Sequence, residues 1–294
     1  MQRKQKVFIT GASSLLLQHV VALMEDETYE IVGLSRSREK LQNSTIRWCI
    51  ADLNTSESYA QELSDCDVII HGAALTHSHN SNEYFRVNVE GTKTLLSSIP
   101  EGANPLFIFI GSRVAGHKSG AYGESKLEAE ELVKKMARKW VILRPAEVFG
   151  GTKNEGIDST ISSSLTGGIK PCPVGVPSKM YPLHVKDAAR GIYQAAFISP
   201  RENTTHYVNG AVGYSYKELL KAIESATGNI IYTLPVPKFA LNIVVSLANM
   251  LKVDVGIVPD QVKRLYSDKG HDPNPNYVTE DLADYLKRLS AKNP

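Results

Sequence analysis

The chain has 294 residues, 42% hydrophobic and 22% charged, which excludes a disordered, collagenous or disulfide-scaffold protein and leaves one large α/β domain or a nucleotide domain with a smaller partner. With 33 bases against 31 acids the net charge is only +2, so no broad electrostatic footprint for nucleic acid is expected. Cys49, Cys66 and Cys172 are odd in number and lack metal-ligand spacing, and they read as reduced thiols of a cytoplasmic protein with no metal.

The N-terminus runs straight into Val7-Phe8-Ile9, too short an apolar run for a secretion signal. Strands are predicted at 6–10, 30–34, 46–50, 67–71, 106–111 and 140–143, alternating with helices at 14–25, 56–64, 82–98 and 122–138. Leu16, Val20 and Leu23 fall on one face of the first helix, the spacing needed to cover a sheet. Strand alternating with helix means right-handed βαβ units, and therefore an α/β fold with a doubly wound parallel sheet. After Gly150-Gly151 the sequence turns rich in Gly, Ser, Thr and Pro, which marks a domain seam between 1–150 and 151–294, with 181–210 a candidate to return to the first domain. A strand at 206–209 and helices at 215–226, 238–251, 260–267 and 279–290 complete the prediction. The apolar stretch at 238–251 suggests docking on another chain, whereas 239–259 is too interrupted by polar residues for a membrane span.

Several motifs carry chemistry. The first strand runs into Thr10-Gly11-Ala12-Ser13-Ser14-Leu15 and a helix, where backbone N–H groups and the positive helix end can meet a pyrophosphate. The second strand ends Gly33-Leu34-Ser35-Arg36-Ser37-Arg38, with no acid for a ribose hydroxyl; an arginine there suits a 2′-phosphate and favours NADP over NAD. At the end of the third strand, Asp52-Leu53 can place a carboxylate beside adenine. Tyr122-Gly-Glu-Ser-Lys126 opens the helix after the fifth strand, and its spacing puts both side chains on one face. A lysine ammonium near the phenol would lower the Tyr122 pKa and make it a proton carrier near neutral pH. Ser112, at the end of the fifth strand, is placed to hold a reacting carbonyl oxygen.

In this order, Thr10-Gly11-Ala12, Asp52-Leu53, His71-Gly-Ala-Ala74, Asn88-x-x-Gly91-Thr92, Tyr122-Gly-Glu-Ser-Lys126-Leu-Glu-Ala-Glu130, Arg144-Pro145-x-x-Val-Phe-Gly150 and His184-Val-x-Asp187 resemble the extended short-chain dehydrogenase/reductases, in particular the NAD-dependent epimerase/dehydratase family. The resemblance implies a Rossmann domain with a smaller C-terminal substrate domain, a nicotinamide cofactor, and nucleotide sugars or related small carbonyls and alcohols as substrates. It assigns Tyr122 as acid/base, Lys126 as partner of the nicotinamide ribose and Ser112 as donor to the substrate oxygen. It places the cofactor against Gly11, Ser13, Ser14, Leu15, Arg36, Asp52, Leu53, Ala73, Ala74, Asn88 and Pro145. Thr76, His77 and Glu147 are the substrate-side candidates. A homodimer through the helices at 82–98 and 122–138 is implied, and the rival reading is a non-catalytic nucleotide sensor or partner-binding protein.

Four departures from the family pattern carry expectations of their own. Ser14 and Leu17 add bulk where glycines usually stand, so pyrophosphate binding is expected to be weakened or reshaped. Ser112 and Tyr122 are only ten positions apart, which makes a short loop and a more open substrate region. Glu147 replaces an asparagine and would repel a diphosphate unless neutralised. Beyond residue 230 no motif matches.

Overall fold

The computed structural model describes residues 3–24, 28–37, 45–151, 156–251 and 257–292. Its strands are β1 (Gln5–Thr10), β2 (Tyr29–Ser35), β3 (Ile46–Ile50), β4 (Val68–His71), β5 (Leu106–Ile110), β6 (Lys139–Pro145), β7 (Val148–Phe149), β8 (Gly168–Pro173), β9 (Leu183–His184), β10 (Thr204–Val208) and β11 (Ile231–Val236). Seven form a parallel sheet in the order β10-β6-β5-β4-β1-β2-β3. The helices are α1 (Leu15–Ala22), α2 (Ala60–Leu63), α3 (Ser81–Tyr84), α4 (Gly91–Ser97), α5 (Gly120–Met136), α6 (Gly156–Ser164), α7 (Val185–Tyr193), α8 (Tyr216–Thr227), α9 (Lys238–Met250), α10 (Pro259–Leu265) and α11 (Leu282–Lys292).

The central strands are continuously apolar because both faces of a parallel sheet are covered. Val7, Ile9, Ile70 and Ile108 point to the side of Leu17, Val20, Ala188 and Ile192, from α1 and α7. Phe8, Ile69, Phe107 and Phe109 point to the other side, against Leu95, Ala129 and Val133 of α4 and α5. A third core joins Phe149, Ile161, Cys172, Leu220, Ile223 and Leu286. The parallel pair β8 and β11 carries Pro171, Pro173 and Pro235. Proline is tolerated there because a two-stranded ribbon consists of edges, and the same prolines hide these strands from pattern reading. The helix expected at 82–98 is interrupted by a π-helical segment, Phe85–Glu90, between α3 and α4.

Two motifs named above hold elements together. Asp187, buried in the first turn of α7, accepts Thr279 N at 2.9 Å, Thr279 Oγ1 at 2.8 Å and Glu280 N at 2.8 Å, which ties the approach to α11 onto a helix of the main sheet. Glu130 of α5 is fully buried and accepts Arg144 Nε at 3.1 Å and Nη2 at 2.6 Å, locking α5 to β6. On α9, Phe239, Ile243, Val244, Leu247 and Met250 are exposed. Among the described residues no helix is long and apolar enough to cross a membrane.

Beneath the ends of β1 and β4 runs a buried polar chain. Thr10 Oγ1 meets His71 Nδ1 at 2.6 Å, His71 Nε2 meets Thr92 Oγ1 at 2.9 Å, and Thr92 donates to Asn88 O at 2.5 Å. Asn88 Oδ1 then accepts Leu75 N at 2.8 Å, and its amide donates to Leu75 O at 3.1 Å and Ser125 Oγ at 3.0 Å. Burial, with the Lys126 charge adding to it, pushes the His71 imidazole down to about 3. The sign of the pH effect follows: the unfolded chain takes up a proton near the ordinary histidine pKa that folded His71 refuses, so this contribution is lost as pH falls below it. Thermal or urea unfolding from pH 7.5 to pH 5 should show a loss of about 2 kcal/mol from this group alone. The slope should be shallower in His71→Gln; an identical slope would remove His71 as its source.

Candidate active site

A cleft of about 770 Å³ opens at the C-terminal ends of β1 to β4, where the chain order of the sheet reverses and open α/β sheets bind ligands. Of the residues expected to hold a cofactor it is lined by Gly11, Ser13, Ser14, Leu15, Arg36, Asp52, Leu53, Ala73 and Ala74. Asn88 and Pro145 are not among them. Asn88 is buried and shapes the cleft through the Leu75 backbone, and Pro145 ends β6. Arg38 lies outside the described residues.

The turn after β1 is glycine by necessity. Gly11 has φ +72°, and a Cβ there would stand 2.7 Å from Ala73 N and 2.8 Å from Gly72 C. The first N–H groups of α1 have no partner within the helix and face the cleft with its positive end. Ser14 caps α1, its Oγ accepting Leu17 N at 3.4 Å. Leu17 is fully buried, and its Cδ1 fills the space where a Cβ of Gly72 would be, 2.5 Å away. The bulk that departs from the glycine pattern is thus directed inward, over a glycine on the neighbouring turn. Arg36 is exposed at the rim, while Asp52 Oδ1 accepts Asn54 N at 2.9 Å in a local turn. Arg86, Gln18 and Asp158 also line the cleft, and sequence reasoning missed all three. Asp158 accepts Gly150 N and Gly151 N, each at 3.0 Å, and burial raises its pKa. No spacing rule links it to a cleft built from the first four strands.

The second cluster surrounds the start of α5. Lys126, 2% exposed, donates from Nζ to Ile110 O at 2.7 Å and stands 4.2 Å from the Phe109 ring centroid. Burial lowers its pKa to about 8, partly offset by Glu130. The expectation that Lys126 depresses the Tyr122 pKa is corrected here: burial raises the phenol, and the charged group that pulls it back is the guanidinium of Arg264, with the Ser112 side chain beside it. The ammonium of Lys126 is committed to the end of β5 instead. Tyr84 meets the Tyr122 ring edge-on, with centroids 5.9 Å apart, and Arg264 lies over that ring. Neither Tyr84 nor Arg264 was found from sequence, because nothing in the chain pattern says that α10 packs on α5. Asp260 and Arg264, four apart on α10, were the available signal.

The substrate-side candidates fall into two groups. The Thr76 carbonyl accepts Arg264 Nη1 at 2.8 Å, and His77 Nε2 meets Gln261 Nε2 at 2.9 Å, so both residues anchor α10. Because Ala73 and Leu75 line the cleft, the short run 73–76 joins it to the tyrosine cluster. Glu147 accepts Arg113 Nη1 at 2.9 Å and Tyr181 N at 3.1 Å, with Lys269 Nζ 3.8 Å away. Two cations therefore neutralise the carboxylate that would otherwise repel a diphosphate. Among the described residues no group of three or more His, Cys, Asp or Glu is arranged to hold a metal ion.

The chain is similar to a sterol-4-alpha-carboxylate 3-dehydrogenase (decarboxylating) of Dictyostelium discoideum, 23% identical over 288 residues with 85% of each chain covered. Among solved structures it resembles a short-chain dehydrogenase/reductase superfamily protein of Agrobacterium tumefaciens with bound NAD (TM-score 0.70, 17% identity, covering 98% of this chain and 96% of that one). It also resembles the UDP-glucose 4-epimerase of Thermotoga maritima with UDP-glucose (TM-score 0.65, 18% identity, covering 79% and 86%). It spans 15% of the length of an uncharacterized Mycobacterium tuberculosis protein that it matches at 24% identity over 145 residues, 49% of this chain. A family model described as the NAD dependent epimerase/dehydratase family matches residues 7–201. With that match reaching six of the seven strands of the main sheet, β1 to β6, and covering about two thirds of the chain, the chain belongs to the NAD dependent epimerase/dehydratase family.

Proposed function

We propose that the protein is an NAD(P)-dependent oxidoreductase or epimerase acting on a nucleotide sugar or a related small carbonyl or alcohol, with Tyr122 as its acid/base. The observation that carries this reading is that one run of backbone serves both clusters: Ala73, Ala74 and Leu75 line the cleft with Gly11 and Arg36, and the next carbonyl, Thr76 O, accepts from Arg264, which lies over the Tyr122 ring. The dinucleotide fits the cradle, because the glycine turn lets backbone N–H groups approach a pyrophosphate and about 770 Å³ lies within the usual range for ligand sites. Arg36 at the end of β2 favours a 2′-phosphate, and hence NADP, over the NAD named for the Agrobacterium neighbour.

When bound, the nicotinamide supplies hydride transfer. The protein's own residues handle the proton and the orientation. Burial keeps Tyr122 a phenol at neutral pH, the state that donates its proton to a ketone oxygen as it is reduced and is left as phenolate; in the oxidative direction it is the phenolate that accepts the alcohol proton and returns to phenol. Ser112, beside the phenol, is placed to hold that substrate oxygen, and Lys126 to hold a ribose hydroxyl from the end of β5. The neutralised Glu147 leaves the substrate side open to phosphate-bearing ligands as well as neutral ones. The helices at 82–98 and 122–138 are the surface proposed for a homodimer.

Two measurements test this. Calorimetric titration of NAD, NADH, NADP and NADPH should show binding, and Arg36→Ala should weaken the NADP forms about tenfold or more while leaving the NAD forms little changed. No binding of any of the four to the folded protein would overturn the reading, and equal NADP affinity in the variant would remove the 2′-phosphate role. Against a panel of nucleotide sugars and small ketones, Tyr122→Phe should bind dinucleotide normally and lose turnover by about a hundredfold or more. Unchanged turnover would refute the acid/base role, and binding without any turnover in the wild type would favour a nucleotide sensor.

A further inference from the structure

We infer that Arg264, carried by α10 from the part of the chain without recognisable motifs, is the positioning residue whose charge acts on the Tyr122 phenol, the part that helix spacing alone gives to Lys126. The inference deepens the acid/base reading of Tyr122 and rests on it for its functional meaning. Its geometric basis is the Arg264 guanidinium, centred 4.1 Å from the Tyr122 ring centroid, a cation against an aromatic ring. All three guanidinium nitrogens are held: Nε donates to Asp260 Oδ2 at 2.5 Å, Nη1 to Thr76 O at 2.8 Å and Nη2 to Tyr84 OH at 2.9 Å. A planar fork fixed on three sides cannot swing off the ring as a lysine could.

Burial makes the charge count. The Arg264 side chain is 12% exposed and that of Asp260 8%, so water screens neither well. The same carboxylate reaches Tyr122 N with Oδ1 at 3.4 Å. One ion pair thus covers the ring and steadies the start of α5 through its backbone. The groups facing Tyr122 are Arg264 and Asp260 from α10, Tyr84 from α3, Ser112 from the loop after β5, and Lys126 one turn along α5. Asp260 opposes the phenolate and Arg264 favours it; with the carboxylate's Oδ2 taken by Nε, the guanidinium is the charge presented to the ring. Lys126 is turned to the Ile110 carbonyl and the Phe109 ring.

The test reads the phenol itself, in the absence of cofactor and substrate. Tyrosine labelled with ¹³C at Cζ is titrated by NMR, with Tyr122→Phe identifying the signal among the 13 tyrosines. In Arg264→Met the Tyr122 midpoint should rise by about one pH unit or more, and Arg264→Lys should restore part of the shift. The double variant Asp260→Asn, Arg264→Met leaves no unpaired buried carboxylate, so it carries the test where the single variant fails to fold, and it should also rise. Lys126→Met should move the midpoint less than Arg264→Met. A midpoint unchanged by loss of Arg264, or moved further by loss of Lys126, would overturn the proposal. Because this readout needs no turnover, a failure of Tyr122 as acid/base would appear separately, as unchanged activity in Tyr122→Phe with the titration shift intact.

Discussion

The whole arrangement depends on how closely the turn after β1 approaches the turn after β4. A methyl group on Gly11 would stand 2.7 Å from the Ala73 nitrogen, closer than a carbon can come without moving the backbone. The contact brings the α1 N-terminus and the 72–76 run to one cleft at the point where the order of the sheet reverses. The chain Thr10–His71–Thr92–Asn88 fixes that approach from below and hands it on to the Leu75 backbone. A neutral, fully bonded histidine suits this place, since an ion there would need a partner that the surroundings do not supply.

The same constraint explains how the glycine pattern can be broken without closing the site. Leu17 stands where a glycine is usual, yet it points away from the cleft into the space left by Gly72. The large Leu17 packs over the small Gly72, so the space between the two adjacent turns is filled. Ser14 serves as the cap of α1. The reshaping is therefore local, and the backbone donors of the turn remain on the cleft side.

The main sheet was legible because its strands are unbroken apolar runs and its helices carry one-sided patterns; β1 to β6 and the order of their motifs follow from residues alone. The lining of the cleft was legible for the same reason, because Gly11, Arg36, Asp52 and Ala73 sit next to strand ends in the sequence. What was hidden depends on long-range packing. Arg264 and Asp260 reach Tyr122 from far along the chain, Asp158 reaches the cleft from α6, and the prolines of β8 and β11 conceal a strand pair. The Lys126 expectation failed because equal helix faces do not decide where a long side chain ends; the Ile110 carbonyl does.

The central claim is that a dinucleotide lies along this one cleft. It is tested most directly by hydrogen–deuterium exchange with and without saturating NADPH, followed peptide by peptide. Slowed exchange confined to the turn at 10–18, the end of β2 and the run 72–76 is the predicted result. Protection absent from these three segments, or found instead along α8 and α9, would contradict the account.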